Sequence, residues 1–344
     1  MTGALPGEVL VMGAGTIGCY IGGRLAAAGV PVTFVGRPRV LKKLADHGLS
    51  ISDLDGAKHH ILPSALRLCE QVPVGAKPAL VLLCVKSGAT AEAAGELAFA
   101  LPAGTTVVSL QNGISNSAAA SHAGPSLNVL PGMVPYNVAE IGEGAFHRGT
   151  PGRLAAKDDV ALRPWLPMFE RAGVPLDLHA DLLPVQWGKL LLNLNNPVNA
   201  LSGLPLREEL MHRGYRRCFA ALIDETLTVL GVSGIVPAQV AAVPAQRLPG
   251  LLRLPHWLFR IVAHAAHRCQ GALQHGRRPR ARSPHGDRRA QRRGRAPRAG
   301  TWPERATQCA HGRAARGLAA TARALAGTAI ARRPRPLASF AALA

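Results

Sequence analysis

Glu8-Val9-Leu10-Val11-Met12-Gly13-Ala14-Gly15-Thr16-Ile17-Gly18 is the stretch on which the fold turns. Its first five residues are a short apolar, β-rich run, and Ile17–Ala28 then reads as a helix. A GxGxxG set directly between a strand and a helix is the context in which that motif carries meaning. Gly13 permits the tight turn, and Gly15 lets the backbone approach a pyrophosphate. Gly18 lets helix and strand pack closely, while the helix N-terminus offers free N–H groups and a positive dipole end. Gly13, Ala14, Gly15, Thr16, Ile17 and Gly18 are therefore the candidate phosphate-binding turn. A glycine-rich turn with a purely structural role is the plainer alternative.

Further strands are expected at Val30–Val35, Ala79–Val85 and Thr105–Leu110, the second of them apolar throughout like a parallel strand covered on both faces. Ala-rich helical stretches separate them, notably Ala89–Ala100. Strand–helix alternation of this kind predicts an α/β, doubly wound Rossmann-type sheet. Residues 127–178 continue with short strands and one helix around Ala161–Ala172. From Asp181 no strand is expected, and Asp181–Leu194, Tyr215–Leu230 and Leu248–Ala266 read as helices. The predicted organisation is a nucleotide-binding domain over 1–180, a mainly helical domain over 181–266 and a tail over 267–344.

That tail holds the charge. The chain of 344 residues carries a formal +20, but residues 268–344 contribute 18 Arg, no Lys, and only Asp287 and Glu304 as acids. Residues 1–267 hold 22 Lys and Arg against 18 Asp and Glu. The basicity is thus local and does not make the rest a nucleic-acid binder. Beyond His267 there is no Val or Met, one Ile and five Leu, too little apolar area to offset chain entropy, so disorder is expected. No apolar run approaches a membrane span, and the N-terminus lacks the charged region and cleavage pattern of a signal peptide. The cysteines at 19, 69, 84, 218, 269 and 309 form no CxxC pair, so a reduced, cytoplasmic protein is expected.

Two further stretches carry chemistry. An NAD site usually places an acid at the end of the second strand, to accept from the ribose 2′-hydroxyl. Here the chain reads Val35-Gly36-Arg37-Pro38-Arg39, and the planar fork of Arg37 suits a 2′-phosphate, which favours NADPH over NADH. The alternative is a solvated surface arginine. Within Gln186–Asn199, a continuous helix would set Lys189, Asn193 and Asn196 at i, i+4 and i+7 on one face. Such a donor-rich stripe suits a carbonyl and a carboxylate, and a partly exposed polar face is the bland reading. Gln111-Asn112-Gly113 follows a strand ending on the same side of the sheet as Gly13, where ligands of such sheets bind. Asn112 could reach the nicotinamide ribose or substrate, or serve only as a turn. Lys86, just past Ala79–Val85, is a cofactor contact or a strand-end surface charge.

Together GAGTIG at 13–18, Arg37, Val85-Lys86, QNG at 111–113 and WGKLLLNLNNPVNALSG from Trp187 to Gly203 resemble the ketopantoate reductase (2-dehydropantoate 2-reductase) family over roughly residues 8–266. The resemblance implies a Rossmann domain, a helical second domain and NADPH-dependent reduction of 2-dehydropantoate to (R)-pantoate, on the route to pantothenate and coenzyme A. It implies Lys189 as proton donor to the keto oxygen, with Lys86 and Asn112 contacting cofactor or substrate. Asn193 and one of Asn196 or Asn199 would hold substrate polar groups. A small 2-keto acid is the implied partner, with no membrane or metal, and a homodimer is left open. A reductase of another 2-keto acid and a non-catalytic NADP-binding protein are the competing readings.

The family's substrate-binding serine and its glutamate in the C-terminal domain have no counterpart here. Between Glu225 and Glu304 the one acid is Asp287. Loss of Lys, Val and acids in favour of Arg, Ala, Gly and Pro is what a GC-rich gene yields when read out of frame, with the change expected between about 264 and 285. The competing reading is an Arg-rich tail that binds nucleic acid or an acidic membrane. Its aromatics, Trp302 and Phe340, offer few stacking platforms.

Overall fold

The first strand is buried throughout and sends alternate side chains to opposite faces of a sheet. In a computed structural model describing residues 7–239 and 243–262, the chain opens with β1 (Val9–Met12), α1 (Thr16–Ala27), β2 (Val32–Val35), α2 (Pro38–His47), β3 (Leu49–Asp53), β4 (Lys58–Ile61) and β5 (Arg67–Cys69). It continues with β6 (Leu80–Leu83), α3 (Thr90–Ala100), β7 (Thr106–Ser109), α4 (Asn116–Ala123) and β8 (Asn128–Met133). There follow β9 (Val138–Gly142), β10 (Ala145–Arg148), β11 (Leu154–Lys157), α5 (Leu166–Arg171), β12 (Leu176–His179) and α6 (Leu183–Asn193). Val9 and Val11 of β1 join Tyr20, Ile21, Leu25 and Phe169 in one core, while Leu10 and Met12 join Ala93, Ala94 and Leu97 in a second. Because side chains alternate across a strand, one four-residue run serves both faces of the sheet.

That sheet has eight strands, ordered β12-β11-β8-β7-β6-β1-β2-β5. The run β5-β2-β1-β6-β7-β8 is parallel throughout, and its order is that of a dinucleotide-binding doubly wound sheet. β11 then pairs antiparallel with β8 and parallel with β12. The predicted strands and the helix at 89–100 are all present, with ends trimmed by one or two residues. The predicted α/β architecture with a helical second part is what forms.

A second sheet, ordered β4-β3-β10-β9, was not foreseen. It packs against α1 and is tied there by a buried ionic cluster. Arg24 donates to Asp53 through Nη1 at 2.8 Å and to the Ala172 carbonyl through Nε at 2.7 Å. Asp53 also lies 3.5 Å from Arg148, which reaches Asp55 at 2.6 Å. Its other oxygen accepts from the N–H groups of Asp55 and Ala57, closing the β3–β4 turn. Side chains of Arg24, Asp53 and Arg148 are all under a tenth exposed. Removing the shared acid would leave two buried cations short of a partner. Asp53→Ala is expected to lower the unfolding free energy by about 3–5 kcal/mol, read from the urea midpoint at unchanged slope.

Beyond Asn193 the described elements are helical: α7 (Asn195–Ser202), α8 (Leu206–Met211), α9 (Arg213–Val232) and α10 (Leu248–Arg253), with a further helix over 256–262. Chain contacts divide the described residues into two units. One runs to Asn193 and takes in Leu230–Ala245, and the other comprises Leu194–Val229 and the residues from Gln246. Two predicted helices are interrupted. Leu194 separates α6 from α7, because Pro197 cannot donate to a carbonyl four residues back and is seated in the first turn of a new helix. Pro255 likewise divides the apolar stretch that begins at Leu248. In the second unit Arg216 is fully buried and donates to the carbonyls of Leu210, Met211, Leu252 and Leu254. The expectations of disorder and of a frame change concern residues outside those described.

Candidate active site

The strand order reverses between β1 and β6, and the glycine turn lies at that point. Backbone N–H groups of Gly13 and Ala14 both donate to the Val35 carbonyl at 2.9 Å, joining the turn to the end of β2. Gly13 has φ +110°, and a Cβ there would stand 2.7 Å from the Val85 nitrogen. A Cβ on Gly18 would collide with the Gly13 carbonyl oxygen and come within 2.8 Å of Val11. A Cβ on Gly15 would meet nothing within 4 Å, so the chain leaves open space on that side of the turn. α1 has no acid in its first turn and no side-chain cap, so no side chain of its own occupies its N-terminal N–H groups.

These features line a groove of about 500 Å³. Gly13, Ala14 and Gly15 form one wall, Gly36 to Arg39 another, and Val85 and Lys86 a third. The fit to a dinucleotide is steric as well as electrostatic: a backbone cradle that excludes Cβ atoms at Gly13 and Gly18 opens beside a dipole end. Arg37 precedes the first turn of α2, is exposed, and makes no ion pair among the described residues. Arg39 lines the same groove and was not singled out from the sequence, although it stands two residues on. Burial pushes the Cys84 thiol in the groove wall up to about 12, so it packs as a neutral group.

Asn112 lies past the end of β7, exposed and outside the groove lining. Its carbonyl accepts from Asn116 Nδ2 at 2.6 Å. The residue before it does more than the sequence suggested. Gln111 Nε2 donates to the Val85 carbonyl at 2.9 Å and to Thr90 Oγ1 at 2.7 Å, while Gln111 Oε1 accepts from Ser109 at 3.0 Å. A buried amide thus braces the peptide leading into Lys86 against β7 and α3. A polar residue at a strand end with a Ser two places earlier was the available signal.

Lys189 is half-buried on α6, and its Nζ donates to the Pro135 carbonyl at 3.1 Å. Burial holds this ammonium below the usual lysine range. No carboxylate forms an ion pair with it among the described residues. One turn earlier, Gln186 reaches the Gly132 carbonyl at 3.3 Å, so two side chains fix α6 to the backbone at and beyond β8. Asn193 ends α6, half-buried, with no side-chain hydrogen bond given by the structure.

Asn196 and Asn199 belong to α7 rather than to the Lys189 helix. Asn196 is exposed. Asn199 Nδ2 donates to the Leu204 carbonyl at 2.9 Å and to Glu209 at 3.1 Å, leaving its oxygen uncommitted. Asn195, which the sequence reading passed over, is buried and donates to the same Glu209 oxygen at 3.0 Å. The fully buried Glu209 therefore gathers α7 and α8 around one carboxylate.

Comparison with known proteins agrees with this geometry. A 2-dehydropantoate 2-reductase of Halobacterium salinarum is 31% identical over 203 residues, covering 57% of this chain and 65% of the relative. Another from Pyrococcus horikoshii is 30% identical over 207 residues, covering 56% and 64%. The chain thus spans under two thirds of the length of each. The crystal structure of a PanE/ApbA family ketopantoate reductase from Ralstonia eutropha superposes with a TM-score of 0.64 at 23% identity, over 93% of this chain and 99% of that one, which establishes a shared fold. Residues 9–158 match the family described as Ketopantoate reductase PanE/ApbA. Over residues 9–158 the chain is therefore similar to ketopantoate reductases of the PanE/ApbA family.

Proposed function

We propose that the chain reduces 2-dehydropantoate to (R)-pantoate with NADPH, in the cytoplasm. The observation that carries this reading is Lys189: a half-buried ammonium held by a backbone carbonyl, with no carboxylate ion pair among the described residues, in the same unit as the nucleotide groove. When bound in that groove, NADPH supplies a hydride to the ketone carbon. Lys189 stabilises the negative charge developing on the keto oxygen, delivers a proton to it and is reprotonated from solvent. Two of its three N–H groups remain for that oxygen after Pro135 takes one. Asn193 and one of Asn196 and Asn199 hold substrate polar groups, Asn199 through its free oxygen. Gly13 to Gly18 seat the pyrophosphate, and Lys86 and Asn112 approach the ribose next to the nicotinamide. Residues 1–180 are the cofactor domain in this reading, and 181–266 the substrate domain.

The test is oxidation of NADPH by the purified full chain with 2-dehydropantoate, run beside other 2-keto acids. Turnover confined to another 2-keto acid replaces the substrate and keeps the chemistry. NADPH binding without turnover of any of them overturns the catalytic reading.

Cofactor choice is tested at Arg37. A charge-assisted contact to the 2′-phosphate contributes about 1.5–3 kcal/mol, so Arg37→Ala is expected to weaken NADPH binding roughly 10- to 100-fold. NADH, which lacks that phosphate, should bind as before. Equal loss for both cofactors would mean that Arg37 acts on the shape of the groove.

A further inference from the structure

The Pro135 carbonyl that receives Lys189 lies between β8 and β9, in a segment fixed from several sides. Asn137 N–H donates to Thr150 Oγ1 at 2.8 Å, and Gly149 N–H donates back to the Asn137 carbonyl at 3.0 Å. The backbone at Gly152 lies so close that a Cβ there would stand 2.5 Å from Cγ of Pro135 and 2.9 Å from its Cβ. Between Pro135 and Asn137, the Tyr136 side chain points into the core and is 3% exposed. Its ring meets that of Tyr20 edge-on, with centroids 5.9 Å apart and planes at 74°. The Arg148 guanidinium stands 5.5 Å from the Tyr136 ring centre, and is itself held by Asp55 and Asp53.

We infer that Tyr136 is a positioning residue for Lys189: its ring, held between Tyr20 and Arg148, fixes the peptide that presents the Pro135 carbonyl to the ammonium. The inference rests on the proton-donor role proposed above for Lys189. A lysine side chain has four rotatable bonds, and α6 alone leaves its end free to turn. One fixed acceptor selects an orientation and commits one N–H. The carbonyl also favours the charged form against the burial that opposes it, and no carboxylate ion pair shares that duty among the described residues.

The ring does this work and the hydroxyl does not, since the buried Tyr136 oxygen has no hydrogen-bond partner in the structure. Tyr136→Phe therefore keeps the clamp, whereas Tyr136→Ala empties it. Loss of the clamp is expected to lower kcat about tenfold or more, with KM for NADPH changed less than about twofold. A role confined to stability would lower the melting temperature and leave the properties of the folded fraction alone.

The experiment uses the full chain and two readouts: steady-state kinetics with NADPH and 2-dehydropantoate, and titration of the Lys189 Nζ signal by NMR, assigned by its absence in Lys189→Ala. For Tyr136→Ala the expected result is the kcat loss together with a titration midpoint about one unit lower, both restored in Tyr136→Phe. Gly152→Ala displaces Pro135 without touching Tyr136 and should move both readouts in the same direction. It decides the matter if Tyr136→Ala does not fold. Folded variants with unchanged kcat and unchanged midpoint overturn the inference. Full turnover in Lys189→Ala would instead remove the proton-donor role, while the midpoint still reports whether Tyr136 holds the ammonium.

Discussion

Lys189→Ala is expected to lower kcat by about 10²- to 10⁴-fold while NADPH still binds, because the donor to the developing alkoxide is lost and the groove at β1 and β6 is untouched. Binding is read by fluorescence of the bound nucleotide and turnover by absorbance. On the proposed reading, the unaltered chain should also lose activity as pH rises through the Lys189 titration, since only the ammonium can donate. Burial lowers that pKa, so the loss should begin below the pH at which an exposed lysine deprotonates. An equal fall in nucleotide affinity and turnover would mean that Lys189 braces α6 against Pro135 and leaves the chemistry to another group.

Alanine at Gly15 and at Gly18 should separate binding from folding. Nothing lies within 4 Å of a Cβ at Gly15, so Gly15→Ala is expected to melt within about 2 °C of the parent, yet to bind NADPH at least about tenfold more weakly. Its methyl occupies space that the pyrophosphate needs. At Gly18 the methyl meets the Gly13 carbonyl and Val11 in the protein itself. Gly18→Ala should therefore cost about 1–3 kcal/mol of stability or more before any ligand is added, and calorimetry of the free protein measures it. Equal stability of the two variants would contradict the packing described for the turn.

The central strands β1, β2, β6 and β7 were readable because each is buried on both faces, so Val9–Met12 and Leu80–Leu83 appear as unbroken apolar runs, the first directly before Gly13. The glycine turn was readable because its spacing is dictated by backbone approach. The second sheet was not, and the reason is local. Lys58-His59-His60-Ile61 is mostly exposed and carries no alternation, and β3 finds its parallel partner in β10 only after a long excursion. Pairing over such a distance leaves no mark in a short window. The break at Leu194 did leave a mark, in Pro197, which the leucine-rich run before it obscured. Glu209 could not have been linked to Asn195 and Asn199 from spacing alone, since the turn between α7 and α8 brings them together. Arg39 differs from Arg37 only in being the second basic residue of the same turn, and the groove takes in both.

The parallel pairing of β3 with β10 also sets an order of events during synthesis. Ser52 meets His147 across 95 positions of chain, so the β3–β4 hairpin can reach α1 early but the small sheet is completed over that helix only after residue 148 has left the ribosome. At about 5–20 residues per second that interval lasts roughly 5–20 s. Throughout it Asp53 is already made and can pair with Arg24, whereas Tyr20 still lacks the edge-on ring of Tyr136 and Asp53 its second arginine, Arg148. Closing so long a loop makes the addition of Arg148 to the Arg24–Asp53 pair a late step in folding, after the pair itself has formed across a much shorter loop.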